Sequence, residues 1–103
     1  MNINDKIKIS VSDTIKEKFP FILENIDRIE KCIREVSINH NMEINEIFIH
    51  APVSSYYSSD IDINIIIKGG YSNHIYGCHE IIGALMWITN DSNIEFDTSF
   101  HGN

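Results

Sequence analysis

Along Lys6 to Ser12, KIKISVS, apolar and polar residues alternate, with Ile7, Ile9 and Val11 on one side and lysine or serine on the other. A period of two belongs to a strand with one buried face, so the first element is predicted to be β. The period then lengthens. Ser12 or Asp13 can cap a helix ahead of TIKEKF, and Pro20 can start or kink a longer helical segment running to about Val36. There Phe21, Ile22, Ile26, Ile29, Ile33 and Val36 recur at helical spacing, while Glu24, Asp27, Arg28, Lys31, Arg34 and Glu35 fill the positions between. This is the pattern of an amphipathic helix with a charged outer face.

SINHN reads as a polar connection, and EINEIFIH, rich in β-branched residues and stopped by Pro52, as a second strand. A loop of serines and tyrosines leads into a third strand from Asp60 to Lys68, ended by Gly69 and Gly70. Ser72 or Asn73 can cap a second helix, HIYGCHEIIGALMWIT, with Asn90, Asp91 and Ser92 as the turn behind it. NIEFDTSF alternates again, placing Ile94, Phe96, Thr98 and Phe100 on one face of a fourth strand.

The resulting order, βαββαβ, matches the ferredoxin-like α+β plan: two helices on one face of a four-stranded antiparallel sheet. A rearranged sandwich of the same elements is the alternative. In the ferredoxin-like plan the strands lie in the order 4-1-3-2, so Lys6 and Lys8 are predicted to lie near Asp60, Asp62, Glu95 and Asp97. Opposite charges facing one another across strands contribute roughly 0.2–1 kcal/mol each. At 103 residues and 43% hydrophobic content, the chain is expected to form one domain, residues 1–103, around one core.

Charge adds a regional feature. Residues 1–34 hold seven of the eight basic side chains against six acids, whereas residues 35–103 hold nine acids against Lys68 alone, and the whole chain carries −7. Such a surface repels nucleic acid and anionic lipid, whose recognition needs lysines and arginines to displace counterions. It attracts a basic protein. No apolar run approaches the roughly 20 residues of a membrane span, and MNINDKIKISVS has no secretory signal core, so a cytoplasmic location is expected. Cys32 and Cys78 are then expected to be free thiols.

Asp60 and Asp62 stand two apart on a predicted strand, where side chains share a face and two carboxylates can hold one magnesium ion. SSDIDINIII resembles the aspartate strand of the minimal nucleotidyltransferase family, in which a Ser-Asp-x-Asp segment binds metal for nucleotide transfer. The resemblance covers about ten residues and implies a metal at Asp60 and Asp62 and a nucleotide substrate. The family's Gly-Ser pair, which opens a short helix after the preceding strand and grips the triphosphate, has no counterpart in IHAPVSSYYSSD. Without a phosphate cradle the two aspartates read as solvent-facing positions of a strand whose other face is Ile61, Ile63, Ile65 and Ile67. His74 and Cys78 can share a helical face, but a zinc site needs further ligands, and Cys78 falls among Ile75, Ile82 and Leu85 as a small buried thiol does. No metal, cofactor or catalytic residue is expected.

IIGALMWIT is apolar nearly all round, more than one sheet face requires, which leaves burial or a homodimer contact through the second helix as its uses. Tyr56 and Tyr57, with Trp87 and Phe100, are of the residue types that anchor interfaces. The expected function is non-enzymatic: an acidic protein-binding module, most concretely an immunity protein or inhibitor that occludes a basic toxin such as a nuclease. Asp60, Asp62, Glu43, Glu46, Glu95 and Asp97 would steer the encounter, and Tyr56 and Tyr57 would supply contact area. A metal-dependent nucleotidyltransferase-like enzyme using Asp60 and Asp62, and a dimeric regulatory or small-molecule-binding domain, are the alternatives.

Overall fold

The structure is a computed structural model that describes residues 7–51, 60–89 and 95–102. Its elements in chain order are β1 (Lys8–Val11), α1 (Asp13–Lys18), α2 (Pro20–Asn39), β2 (Ile44–His50), β3 (Asp60–Ile67), a 3-10 turn (Tyr71–Asn73), α3 (Ile75–Thr89) and β4 (Glu95–Gly102). It is an α+β arrangement with a four-stranded sheet and three α-helices.

Local chemistry accounts for the helix boundaries. Ser12 caps α1 by accepting the Ile15 N–H on its hydroxyl at 3.3 Å. Pro20 then starts α2 rather than kinking one long helix, because a proline at the first helical position gives up an N–H that has no helical partner anyway. The predicted polar connection SINHN is largely helical, since α2 continues to Asn39. It ends where Asn41 turns left-handed at φ 53°. The Met42 N–H bonds the Ser37 carbonyl at 2.8 Å and the Asn41 N–H bonds the Ile38 carbonyl at 3.2 Å, the paired closure of a Schellman cap. Fully buried Met42 completes it from below.

The sheet order is β1-β2-β3-β4, and the pairing is mixed: β1 with β2 parallel, β2 with β3 antiparallel, β3 with β4 parallel. This corrects the predicted ferredoxin-like antiparallel sheet of order 4-1-3-2. Each helical crossover returns the chain beside the strand it left, making two parallel β-helix-β units joined through the antiparallel β2–β3 pair. Alternation in KISV identified the buried face but carried no information about the neighbour. β1 lies at the sheet edge, where Lys8 is exposed and the remaining residues are half-buried. Lys8 therefore meets Glu46 at 3.3 Å, not the acids of β3 and β4. Lys6 lies outside the described residues.

Both parallel units put their helices on the same side, and the core is the layer between. Ile47 and Ile49 of β2 and Ile61, Ile63, Ile65 and Ile67 of β3 meet Ile22, Ile29 and Ile33 of α2 and Cys78, Ile81 and Leu85 of α3. Burying each such side chain contributes about 1.5–3 kcal/mol. At the far end of the layer α2 and α3 come very close at Gly77: a Cβ there would run into Met42 Sδ and lie 3.0 Å from His40 Cβ. His40 Nε2 and the Glu80 carboxylate close the same seam from outside. Among the described residues no helix is long and apolar enough to cross a membrane.

Candidate functional site

A strand that buries alternate residues presents the others on the opposite face. Register places Lys8 and Ser10 of β1 beside Glu46 and Phe48 of β2, Phe48 and His50 beside Asn64 and Asp62 of β3, and these beside Ser99 and Asp97 of β4. No described helix covers this side of the sheet. Its central row is a directed chain of hydrogen bonds across three strands. Asn64 Nδ2 donates to His50 Nε2 at 2.7 Å, Asn64 Oδ1 accepts the Ser99 hydroxyl, and Ser99 Oγ lies 3.3 Å from His101 Nε2. The Asn64 amide thereby assigns His50 the tautomer with its proton on Nδ1, which faces the Ala51 carbonyl at 3.4 Å and Asp62 at 3.9 Å. At the β1 end of the row, Ser10, Ser12, Phe48, His50 and Asn64 line an open hollow of about 340 Å³.

The acids predicted to form one patch divide into two groups. Glu43 meets Lys68 at 3.6 Å and Glu46 meets Lys8 at 3.3 Å, so each is partly neutralised within the chain. Asp62 and Asp97 are direct register partners on parallel strands, and one step along the same pair Asp60 is in register with Glu95. Among the described residues neither Asp62 nor Asp97 has a lysine or arginine within ion-pair distance, and the basic side chain beside Asp62 is the imidazole of His50 at 3.9 Å. Tyr56 and Tyr57 lie outside the described residues, as do the side chains of Asp60 and Glu95.

The remaining candidates settle by burial. Trp87 is exposed at 77%, whereas Phe100 is half-buried with Tyr71 against it at a ring separation of 6.2 Å. Cys32 and Cys78 are both free thiols. Cys78 is fully buried in the core, and loss of hydration pushes its thiol up to about 11. The Cys32 thiol is raised by burial first, then by repulsion from Glu35 and Glu80, with Arg28 opposing. Among the described residues no three His, Cys, Asp or Glu side chains converge as a metal site would require.

The polar chain of His50, Asn64, Ser99 and His101 escaped sequence reasoning. Its sequence signal was present, since all four occupy the outward positions of strands whose inward positions are Ile, Phe or Thr. That they touch depends on strand order. No family model matches the chain, and neither curated proteins nor solved structures provide a match.

Proposed function

We propose that the chain is a protein-binding module, of the kind an immunity protein or inhibitor represents, that receives a basic partner on the β3–β4 half of its open sheet face. The observation that carries this reading is the facing pair Asp62 and Asp97, continued in register by Asp60 and Glu95. Like charges directly opposite one another on neighbouring strands oppose folding. The other acids of the notional patch, Glu43 and Glu46, have lysines of this chain beside them, whereas among the described residues this pair has only His50. A guanidinium from outside, bridging the two carboxylates, relieves the repulsion and forms charge-assisted bonds in one step. A nuclease or other nucleic-acid-binding toxin has the basic surface that such a face would occlude.

A second reading is supported by the same pair. Two carboxylates on adjacent parallel strands, beside Asp60 in the segment that resembles the nucleotidyltransferase aspartate strand, are also a geometry for a divalent cation. One titration separates the two. The isotope-labelled chain is observed by NMR while an arginine-rich peptide is added in low salt, and in a parallel sample magnesium chloride. The binding-module reading expects peptide-induced shifts centred on Asp62 and Asp97, weakening as salt rises and lost in the Asp62→Asn, Asp97→Asn double variant. Saturable magnesium shifts at these residues with no response to the peptide would replace it with the metal-dependent reading. Silence in both samples would remove both.

A further inference from the structure

Among the described residues β4 forms the outer edge of the sheet and pairs with β3 only. Edge strands are ordinarily protected by shortness, lysine, proline or a bulge. The opposite edge follows that rule, since β1 has four residues and carries exposed Lys8. β4 runs for eight residues, EFDTSFHG, with no lysine, arginine or proline and no irregularity in its pairing with β3. Such an edge is a template for another strand.

The order of residues along β4 points to what that strand is. Antiparallel pairing of β4 with a second β4 about a twofold axis through Thr98 sets Asp97 opposite Ser99, Phe96 opposite Phe100 and Glu95 opposite His101, each pair occurring twice. The acidic half of each strand meets the histidine-bearing half of the other, and the two aromatic positions, which face the helical layer, meet each other. An in-register parallel pairing, or an antiparallel one shifted toward Glu95, places acid beside acid, and a shift to an axis through Ser99 parts the two phenylalanines and sets Phe96 against Gly102. Thr98 lies on the axis, and its Oγ1 is buried without a hydrogen-bond partner among the described residues.

The helix above the edge has a matching flank. One side of α3 is taken by α2, at Gly77 and Glu80. The other side is marked by His79, whose Nε2 lies 2.7 Å from the Tyr71 hydroxyl, with Tyr71 in turn against Phe100 of β4. Helical spacing puts Ile75, Ile82 and Met86 on the flank of His79, and Ile75 and Met86 are 45% and 66% exposed. Through Tyr71 and Phe100 this flank is linked to β4.

We infer that the chain forms a twofold homodimer by antiparallel β4–β4 pairing, giving a continuous eight-stranded sheet in which the two α3 flanks pack together above the joint. Eight residues at about 3.3 Å each give a seam of roughly 26 Å, and a sheet plus a helical layer is about 20 Å deep. The dimer therefore buries on the order of 1,000 Å² in total, at the lower end for specific association, and dissociates on dilution. Asp97 of the acidic pair lies on β4 itself, and the two readings are told apart because peptide binding and self-association are measured separately.

Sedimentation velocity across a concentration series tests it, with circular dichroism to check that each variant is folded. The expected result is a shift from monomer to dimer with rising concentration. His101→Glu, at an exposed position, weakens the dimer about tenfold or more, since it replaces two favourable facing pairs with two repulsive ones. The charge-swapped Glu95→Lys, His101→Glu double variant restores it. Thr98→Cys in a Cys32→Ser background cross-links under oxidation, because facing strand residues lie within disulfide reach. A chain that stays monomeric at every concentration, or a dimer that is indifferent to His101→Glu and does not cross-link through position 98, overturns the inference.

Discussion

Two glycines in α3 provide a test of how closely the helical layer is packed. Glycine inside a helix costs about 0.8–1 kcal/mol relative to alanine, because the folded state must restrain a more flexible backbone. On propensity alone Gly77→Ala and Gly83→Ala both stabilise. At Gly83 nothing lies within 4 Å of a new Cβ, so that substitution realises the full gain of about 1 kcal/mol. At Gly77 the new Cβ meets Met42 Sδ and sits 3.0 Å from His40 Cβ. A methionine tip is normally easy to move, but Met42 is fully buried beside the Schellman cap of α2, where close packing leaves a displaced side chain little room. Overpacking of this kind costs about 1–3 kcal/mol, which exceeds the propensity gain and leaves Gly77→Ala net destabilising by up to about 2 kcal/mol. Urea denaturation followed by circular dichroism reads both, as a midpoint raised for Gly83→Ala and lowered for Gly77→Ala at unchanged slope. If Gly77→Ala is as stable as Gly83→Ala, the close approach of α3 to the end of α2 is wrong.

Two further outcomes follow from the core and the acidic face. Burial holds the Cys78 thiol at about 11, above its ordinary 9.0, so the folded chain binds the proton more tightly than the unfolded one. The resulting stability is present in full below pH 9 and is lost as pH rises toward 11, by up to about 2–3 kcal/mol. Denaturation of wild type and Cys78→Ala across that range should show the steeper decline in wild type, and parallel curves would refute the assignment. Asp97→Asn removes one of two facing like charges and is expected to raise stability by a few tenths of a kcal/mol in low salt, an effect that salt erases. A measured loss would mean that Asp97 has a stabilising partner.

The acidic face shows how a composition-level observation changes when it acquires coordinates. From the chain alone, six carboxylates stood as one steering surface. In the fold, Glu43 and Glu46 are partnered by Lys68 and Lys8, and the charge not countered by lysine or arginine among the described residues narrows to Asp62 and Asp97. The mechanism of the division is the mixed sheet. An antiparallel sheet of order 4-1-3-2 would have set the lysine-bearing first strand between β3 and β4. With β1 displaced to the far edge, its lysine serves β2 instead, and β3 and β4 bring their aspartates side by side.

Sequence alone determined the type of the main strands and helices, and which side of each is buried. Both follow from periodicity, a local property written in Ile61, Ile63, Ile65 and Ile67 or in Ile22, Ile29 and Ile33, and the hydrophobic effect acts on it without reference to the rest of the chain. It also marked Pro20 as a helix start and Gly69-Gly70 as a strand stop, because these residues restrict or release the backbone at their own positions. Only the tertiary structure decided which strand lies beside which, and with that the parallel pairings, the partners of each carboxylate, and the hydrogen-bonded row from His50 to His101. Periodicity specifies a face and is silent about the neighbour in the plane of the sheet. That choice is made by helices packing across the whole layer, where α2 and α3 must fit one another and the sheet at once.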